Sequence, residues 1–77
     1  MLKDLLEYLA KSLVDNPAEV RVSVTETDTT VLLALSVDKD DVGKVIGKQG
    51  HIARALRTII KASAARDSKR VVVEIVD

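Results

Sequence analysis

The chain has 77 residues, enough for one small domain, and its cysteine-free composition with a single aromatic residue excludes a disulfide framework, a zinc knuckle and an aromatic stacking surface. Its 12 basic and 12 acidic residues cancel in number but not in place. Residues 43–70 hold eight cations against Asp67 alone, whereas residues 1–42 hold nine acids against four cations, and a phosphate ligand responds to such a basic block more than to the total.

No apolar run approaches the roughly 18–20 residues of a membrane span, and the start lacks the pattern of a signal peptide. The expectation is one soluble, cytoplasmic domain over residues 1–77, with no membrane partner. A chain this short is only marginally stable alone and often gains stability by self-association.

Residues 2–14 read as a helix. Leu2, Leu5, Leu6, Leu9 and Leu13 fall on one stripe, with Lys3, Asp4, Glu7 and Lys11 off it. Tyr8 is expected to pack at the edge of that stripe. Asn16-Pro17 ends the helix, because proline restricts the residue before it. Residues 20–26 alternate, with Val20, Val22 and Val24 on one face and Arg21, Ser23 and Thr25 on the other, as in a half-buried strand. Thr27-Asp28-Thr29 reads as a hairpin loop. Residues 30–37 form a second strand, apolar on both faces, which fits a central or covered position.

Asp38 is the expected N-cap of a short helix over 40–46, with Asp41 favouring its start. Gly43 inside that helix costs about 1 kcal/mol relative to alanine, which suggests close approach of something to the helix. A long helix is predicted over 51–66, with Ile52, Leu56, Ile59, Ile60 and Ser63 on one face and Arg54, Arg57 and Lys61 largely opposite. Asp67-Ser68-Lys69 is the exit loop, and residues 70–76 are a third strand. The order is helix, strand, strand, helix, glycine turn, helix, strand.

The stretch that organises the chain is Val45-Ile46-Gly47-Lys48-Gln49-Gly50-His51-Ile52. Two glycines permit a tight turn and close backbone approach to a ligand. Lys48 stands at the tip, and the turn opens a helix whose first N–H groups carry partial positive charge. That combination suits a phosphate. A bare G-x-x-G occurs by chance in many chains. Here it lies between two helices, follows an apolar pair, carries a lysine and precedes a basic helix.

These residues resemble the signature of the KH (K-homology) RNA-binding domain. The order αββααβ is that of its type II form, an α+β fold with a three-stranded sheet and helices on one face. Over its whole length the chain is similar to the small bacterial single-KH-domain proteins of the KhpA family, with residues 41–50 the most specific part. The resemblance implies that the G-x-x-G loop clamps the backbone of a single RNA strand of about four nucleotides. Gly47, Lys48, Gln49 and Gly50 would form the clamp, with Lys44 and His51 beside it. Lys48 would meet a phosphate, and Gln49 a phosphate or sugar. Val45, Ile46 and Ile52 are candidates for the apolar groove floor, although Ile46 and Ile52 serve equally well as core residues. Arg54 and Arg57 would extend the positive wall. His51 departs from the arginine or lysine that relatives often carry there, and a neutral imidazole has no charge for a phosphate.

The resemblance further implies an RNA chaperone or post-transcriptional regulator that acts as a homodimer or with a larger multi-domain KH-containing RNA-binding protein. The alternative is a protein-interaction module that keeps a KH fold with little RNA binding of its own. Leu32, Ala34, Val72 and Val76, left on the second sheet face, motivate it. Catalysis is not expected, because no nucleophile–base pair stands out. A lone histidine offers no metal site, and no cofactor is expected.

Overall fold

A computed structural model describes residues 2–64 and 69–76. Helix α1 spans Leu2–Leu13, strand β1 Arg21–Glu26 and strand β2 Thr30–Ser36. Helix α2 is Val42–Ile46, helix α3 is His51–Ser63 and strand β3 is Arg70–Val76. Single 3-10 turns occupy Pro17–Glu19, Lys39–Asp41 and Lys48–Gly50. The expected order αββααβ holds. The predicted helix over 40–46 is broken, however, into a 3-10 turn and α2. Asp38 caps that turn rather than an α-helix, its carboxylate accepting from Asp40 N at 3.0 Å. Of the helix predicted over 51–66, α3 covers His51–Ser63 with Ala64 as its C-cap, and residues 65 and 66 and the exit-loop residues Asp67 and Ser68 lie outside the described residues.

The sheet has the order β1-β2-β3, with β2 central. This explains why β2 is apolar on both faces. β1 runs antiparallel to β2 and β3 parallel to it. In register, Val22 meets Leu35 and Leu35 meets Ile75, while Leu33 meets Val73 and Val31 meets Val71. These side chains share one face because residues two apart on a strand point the same way. The helices cover that face. Leu6 and Ala10 of α1, Val45 of α2, and Leu56, Ile60 and Ala64 at α3 complete a core with Leu33 and Leu35. Each large side chain enclosed there contributes about 1.5–3 kcal/mol through removal of apolar surface from water. The opposite sheet face, with Ser23, Thr25, Leu32, Ala34, Val72, Glu74 and Val76, carries no helix among the described residues, and Val76 is 43% exposed.

Tyr8 corrects its expectation. It is 70% exposed, because at about 100° per residue it points away from the Leu6–Ala10 line that faces the sheet. The core position missed on α1 is Ala10, whose small side chain lets the helix approach closely. Among the described residues no helix is long and apolar enough to cross a membrane.

Candidate nucleic-acid interface

The turn between α2 and α3 is locked by its first glycine. Gly47 has φ 73° and ψ 176°, a region open essentially to glycine alone. A Cβ built there would lie 2.5 Å from Ile52 Cγ1 and 2.7 Å from Ile52 Cβ. Gly47 therefore satisfies both the backbone and the packing of Ile52. Gly47 N donates to Gly43 O at 2.8 Å, closing α2, and Gly50 N donates to Gly47 O at 3.2 Å, folding the tip back. Gln49 (φ 57°) and Gly50 (φ 76°) are consecutive left-handed residues. Gly50 has open space where a Cβ would stand, so only its backbone favours glycine. Gly50 is also the N-cap of α3, and no side chain caps that helix start.

The exposed tip carries Lys48 and Gln49, with His51 exposed on the first turn of α3. Ile46 is 37% exposed beside them. Val45 is fully enclosed in the core. As a groove floor it is therefore corrected, since it supports the turn from beneath and offers no surface to a ligand. Ile52 is half-buried, packs against the core and seats Gly47. It carries out the core role that the sequence left open. Gly43 is exposed, and among the described residues nothing beyond its chain neighbours and its own helix backbone lies within 4 Å of a Cβ built on it. The close approach expected there is made by no described part of the protein.

Lys44 is engaged. It is ion-paired with Asp15 and stands 4.0 Å from Asp41 Oδ1. The bond to Asp15 raises its pKa from the ordinary 10.5. Asp41 itself is buried, and its two oxygens accept from Asp15 N at 3.2 Å and Asn16 N at 3.1 Å. Asp41 stands at the N-cap of α2, as expected for a helix-start residue, but its side chain makes no capping bond there. It serves in addition as the pin that ties the segment after α1 to the start of α2. Nothing local in the sequence signals this, because its partners lie 25 and 26 residues away.

Helix α3 separates two surfaces. Arg54, Arg57 and Lys61 follow one flank at steps of three and four, with Arg57 reaching β3, where its Nε donates to Val73 O at 3.2 Å. Lys61 continues to a small basic depression of about 230 Å³ shared with Lys69 and Arg70. The other flank faces α1. There Leu9, Leu13, Ile52, Ala55 and Ile59 line an apolar groove of about 370 Å³. Ile59, expected on the buried face, is 42% exposed at its rim, because Ala53, Leu56 and Ile60 take the line that meets the sheet. Among the described residues no cluster of histidine, aspartate and glutamate could hold a metal ion.

Comparison with known proteins agrees with this architecture. Residues 3–75 match the family described as KhpA/KhpB, KH domain. RNA-binding protein KhpA of Clostridium acetobutylicum is 57% identical over 75 residues, covering 97% of this chain and 100% of that protein. RNA-binding protein KhpA of Aquifex aeolicus is 55% identical over 76 residues, covering 99% and 96%. The Bacillus subtilis protein of the same name is 49% identical, covering 99% and 94%. Among solved structures, Aquifex aeolicus Era bound to GDP and aluminium fluoride shares the fold, with a TM-score of 0.71 at 14% identity. The likeness covers 96% of this chain but 29% of that one. Era in complex with MgGDPNP and a segment of 16S ribosomal RNA gives a TM-score of 0.61 at 18% identity, covering 97% of this chain and 30% of that one. A match over nearly all of its residues, in a fold with the G-x-x-G turn between two helices on a three-stranded sheet, makes the chain a member of the KhpA/KhpB family of KH domains.

Proposed function

We propose that the protein binds single-stranded RNA at the Gly47–Gly50 turn and along the basic flank of α3. The observation that carries this reading is the locked turn. Its backbone conformation holds Lys48 and Gln49 outward at the uncapped start of α3, where a backbone phosphate is favoured by both charge and N–H direction. Gly47 sets the turn, Gly50 lets it enter the helix, and Lys48 supplies the charge. Gln49 supplies a hydrogen-bond donor and an acceptor. Ile46 is the apolar surface beside the strand, with Arg54 and Arg57 as the wall. Open space at Gly43 leaves room for the ligand backbone along α2. Lys44 joins when a phosphate replaces Asp15. The names of the relatives, RNA-binding protein KhpA, support the same reading.

One module that touches about four nucleotides binds weakly and with limited sequence preference, so an RNA chaperone or post-transcriptional regulator of this design depends on avidity from a second copy or a partner. The apolar groove between α1 and α3 favours such an assembly, because Leu13 is 36% and Ile59 42% exposed there. A larger KH-containing RNA-binding protein is the partner class that the resemblance implies. If RNA binding is absent, this groove and the open sheet face leave the protein-interaction reading in first place.

The test is a titration of short single-stranded RNA and DNA oligomers into the wild type and the Lys48→Asp, Gln49→Asp double variant, followed by amide NMR. Shifts centred on residues 46–57, weakened by salt and lost in the folded double variant, are expected. Unchanged RNA affinity in that variant overturns the clamp.

A further inference from the structure

The basic flank of α3 does more than present charge, because one of its arginines is fixed to the sheet. Among the described residues β3 is an edge strand, paired to β2 on one side only. Arg70 N donates to Thr29 O on the β2 side. Peptide groups on a strand alternate in direction, so those of Val71, Val73 and Ile75 point to the free edge. The Arg57 bond to Val73 O at 3.2 Å agrees with that assignment.

An uncovered parallel edge presents a carbonyl acceptor beside the N–H donor two residues on. Here that pair is Val73 O and Ile75 N. An acceptor–donor pair of this kind matches the edge of an amino base, which offers an exocyclic NH₂ beside a ring nitrogen. Arg57 changes the pattern. Its Nε occupies the Val73 acceptor, and its remaining guanidinium N–H groups bond to no other described residue. The centre of the edge then presents donors only. Donors match the carbonyl oxygens of uracil, the O6 and N7 acceptors of guanine and the O2 and N3 acceptors of cytosine, whereas adenine sets no two acceptors side by side.

We infer that Arg57 is the base-discriminating residue of this site, selecting against adenine in favour of uracil, guanine and cytosine at the position that lies against β3. The inference rests on the RNA-binding reading above and adds a specificity to it. It differs from a phosphate role for Arg57, which needs the charge but neither the planar fork nor the tie to Val73. Lysine retains the charge and loses the fork.

The experiment measures the affinity of hexamers of uridine, of alternating uridine and guanosine, of cytidine and of adenosine for the wild type, Arg57→Lys and Arg57→Leu. The amide spectrum checks that each variant is folded. The wild type is expected to bind the adenosine hexamer about fivefold or more weakly than the other three, the lower end of what a well-placed arginine pair discriminates. Arg57→Lys is expected to lose most of this discrimination, and Arg57→Leu, which frees the Val73 carbonyl for an amino base, to bind more weakly overall and no longer to disfavour adenosine. Equal binding of the four hexamers by the wild type overturns the inference and leaves the clamp standing. Undiminished discrimination against adenosine in Arg57→Lys or Arg57→Leu also overturns it. Failure of the wild type to bind any hexamer overturns the RNA-binding reading, and this inference with it.

Discussion

Ile52 fills the space that a side chain on Gly47 would need, its Cγ1 lying 2.5 Å from the position of that missing Cβ. The contact joins the last residue of the α2 turn to the first apolar residue of α3, so the pitch of α3 and the shape of the turn are set together. Gly47→Ala is therefore expected to destabilise the fold by about 2–4 kcal/mol, through backbone strain and overpacking. Gly50→Ala meets open space and strains only the backbone, for a cost of about 1 kcal/mol. Trimming the partner does not rescue Gly47→Ala, because Ile52 Cβ alone already lies at 2.7 Å. Urea denaturation of Gly47→Ala, Gly50→Ala and Gly47→Ala with Ile52→Ala checks the order. Equal midpoints for the two single variants contradict it.

The legible part of this molecule is the part with local periodicity. The leucine stripe of α1, the alternating valines of β1 and the apolar runs of β2 and β3 each announce their element. Gly47 and Gly50 announce the turn. Long-range hydrogen bonds are the illegible part. Asp41 looks like one more acid at a helix start, and only the fold brings the amides of Asp15 and Asn16 onto it. Arg57 looks like one more cation on a solvated flank until β3 is placed beside α3. Val45 sits inside the signature, yet it is a core residue, because α2 must bury one side chain to lie on the domain.

Asp41 supplies a stability test. Its carboxylate is 3% exposed and accepts two backbone N–H groups. Asp41→Ala leaves both donors without that acceptor and is expected to cost about 2–4 kcal/mol, since an unsatisfied buried donor costs about 1–3 kcal/mol. Asp41→Asn keeps one acceptor oxygen and is expected to lose about half as much. Hydrogen exchange at the amides of Asp15 and Asn16 locates the effect. Protection unchanged in Asp41→Ala rules out the pin.

Lys44 and Asp15 supply a functional test. Their ion pair is exposed, and exposed pairs add little to stability. Asp15→Asn removes the competitor for Lys44 and leaves the Asp15 backbone N–H free to bond Asp41. Under the RNA-binding reading, affinity for a single-stranded oligomer is expected to rise by about twofold or more as Lys44 becomes available, and the salt dependence to steepen. Lys44→Gln is expected to lower affinity. Fluorescence anisotropy at several salt concentrations measures both effects. An Asp15→Asn variant with wild-type affinity and salt slope places Lys44 outside the interface.

Asp38 gives the pH dependence its direction. Its carboxyl is held below the ordinary value of 3.8, chiefly by the Asp40 N–H and then by the Asn16 side-chain amide. A native pKa below the unfolded one means that the unfolded chain binds protons first as the pH falls. The contribution is therefore fully present above the unfolded-state value near 3.8 and is lost as the pH drops through the lower folded-state value. Glu7 behaves in the same sense from its ordinary 4.5, through its hydrogen bond and charge pairing with Lys11. Asp38→Asn still offers an oxygen to Asp40 N, because asparagine caps as well as aspartate, but it does not titrate. The urea midpoint of the wild type is expected to fall between pH 5 and pH 3 by more than that of Asp38→Asn, which at pH 7 lies somewhat below the wild type because its single amide oxygen does not also accept from Asn16. Parallel curves for the two proteins across that range assign the acid limb to other carboxylates.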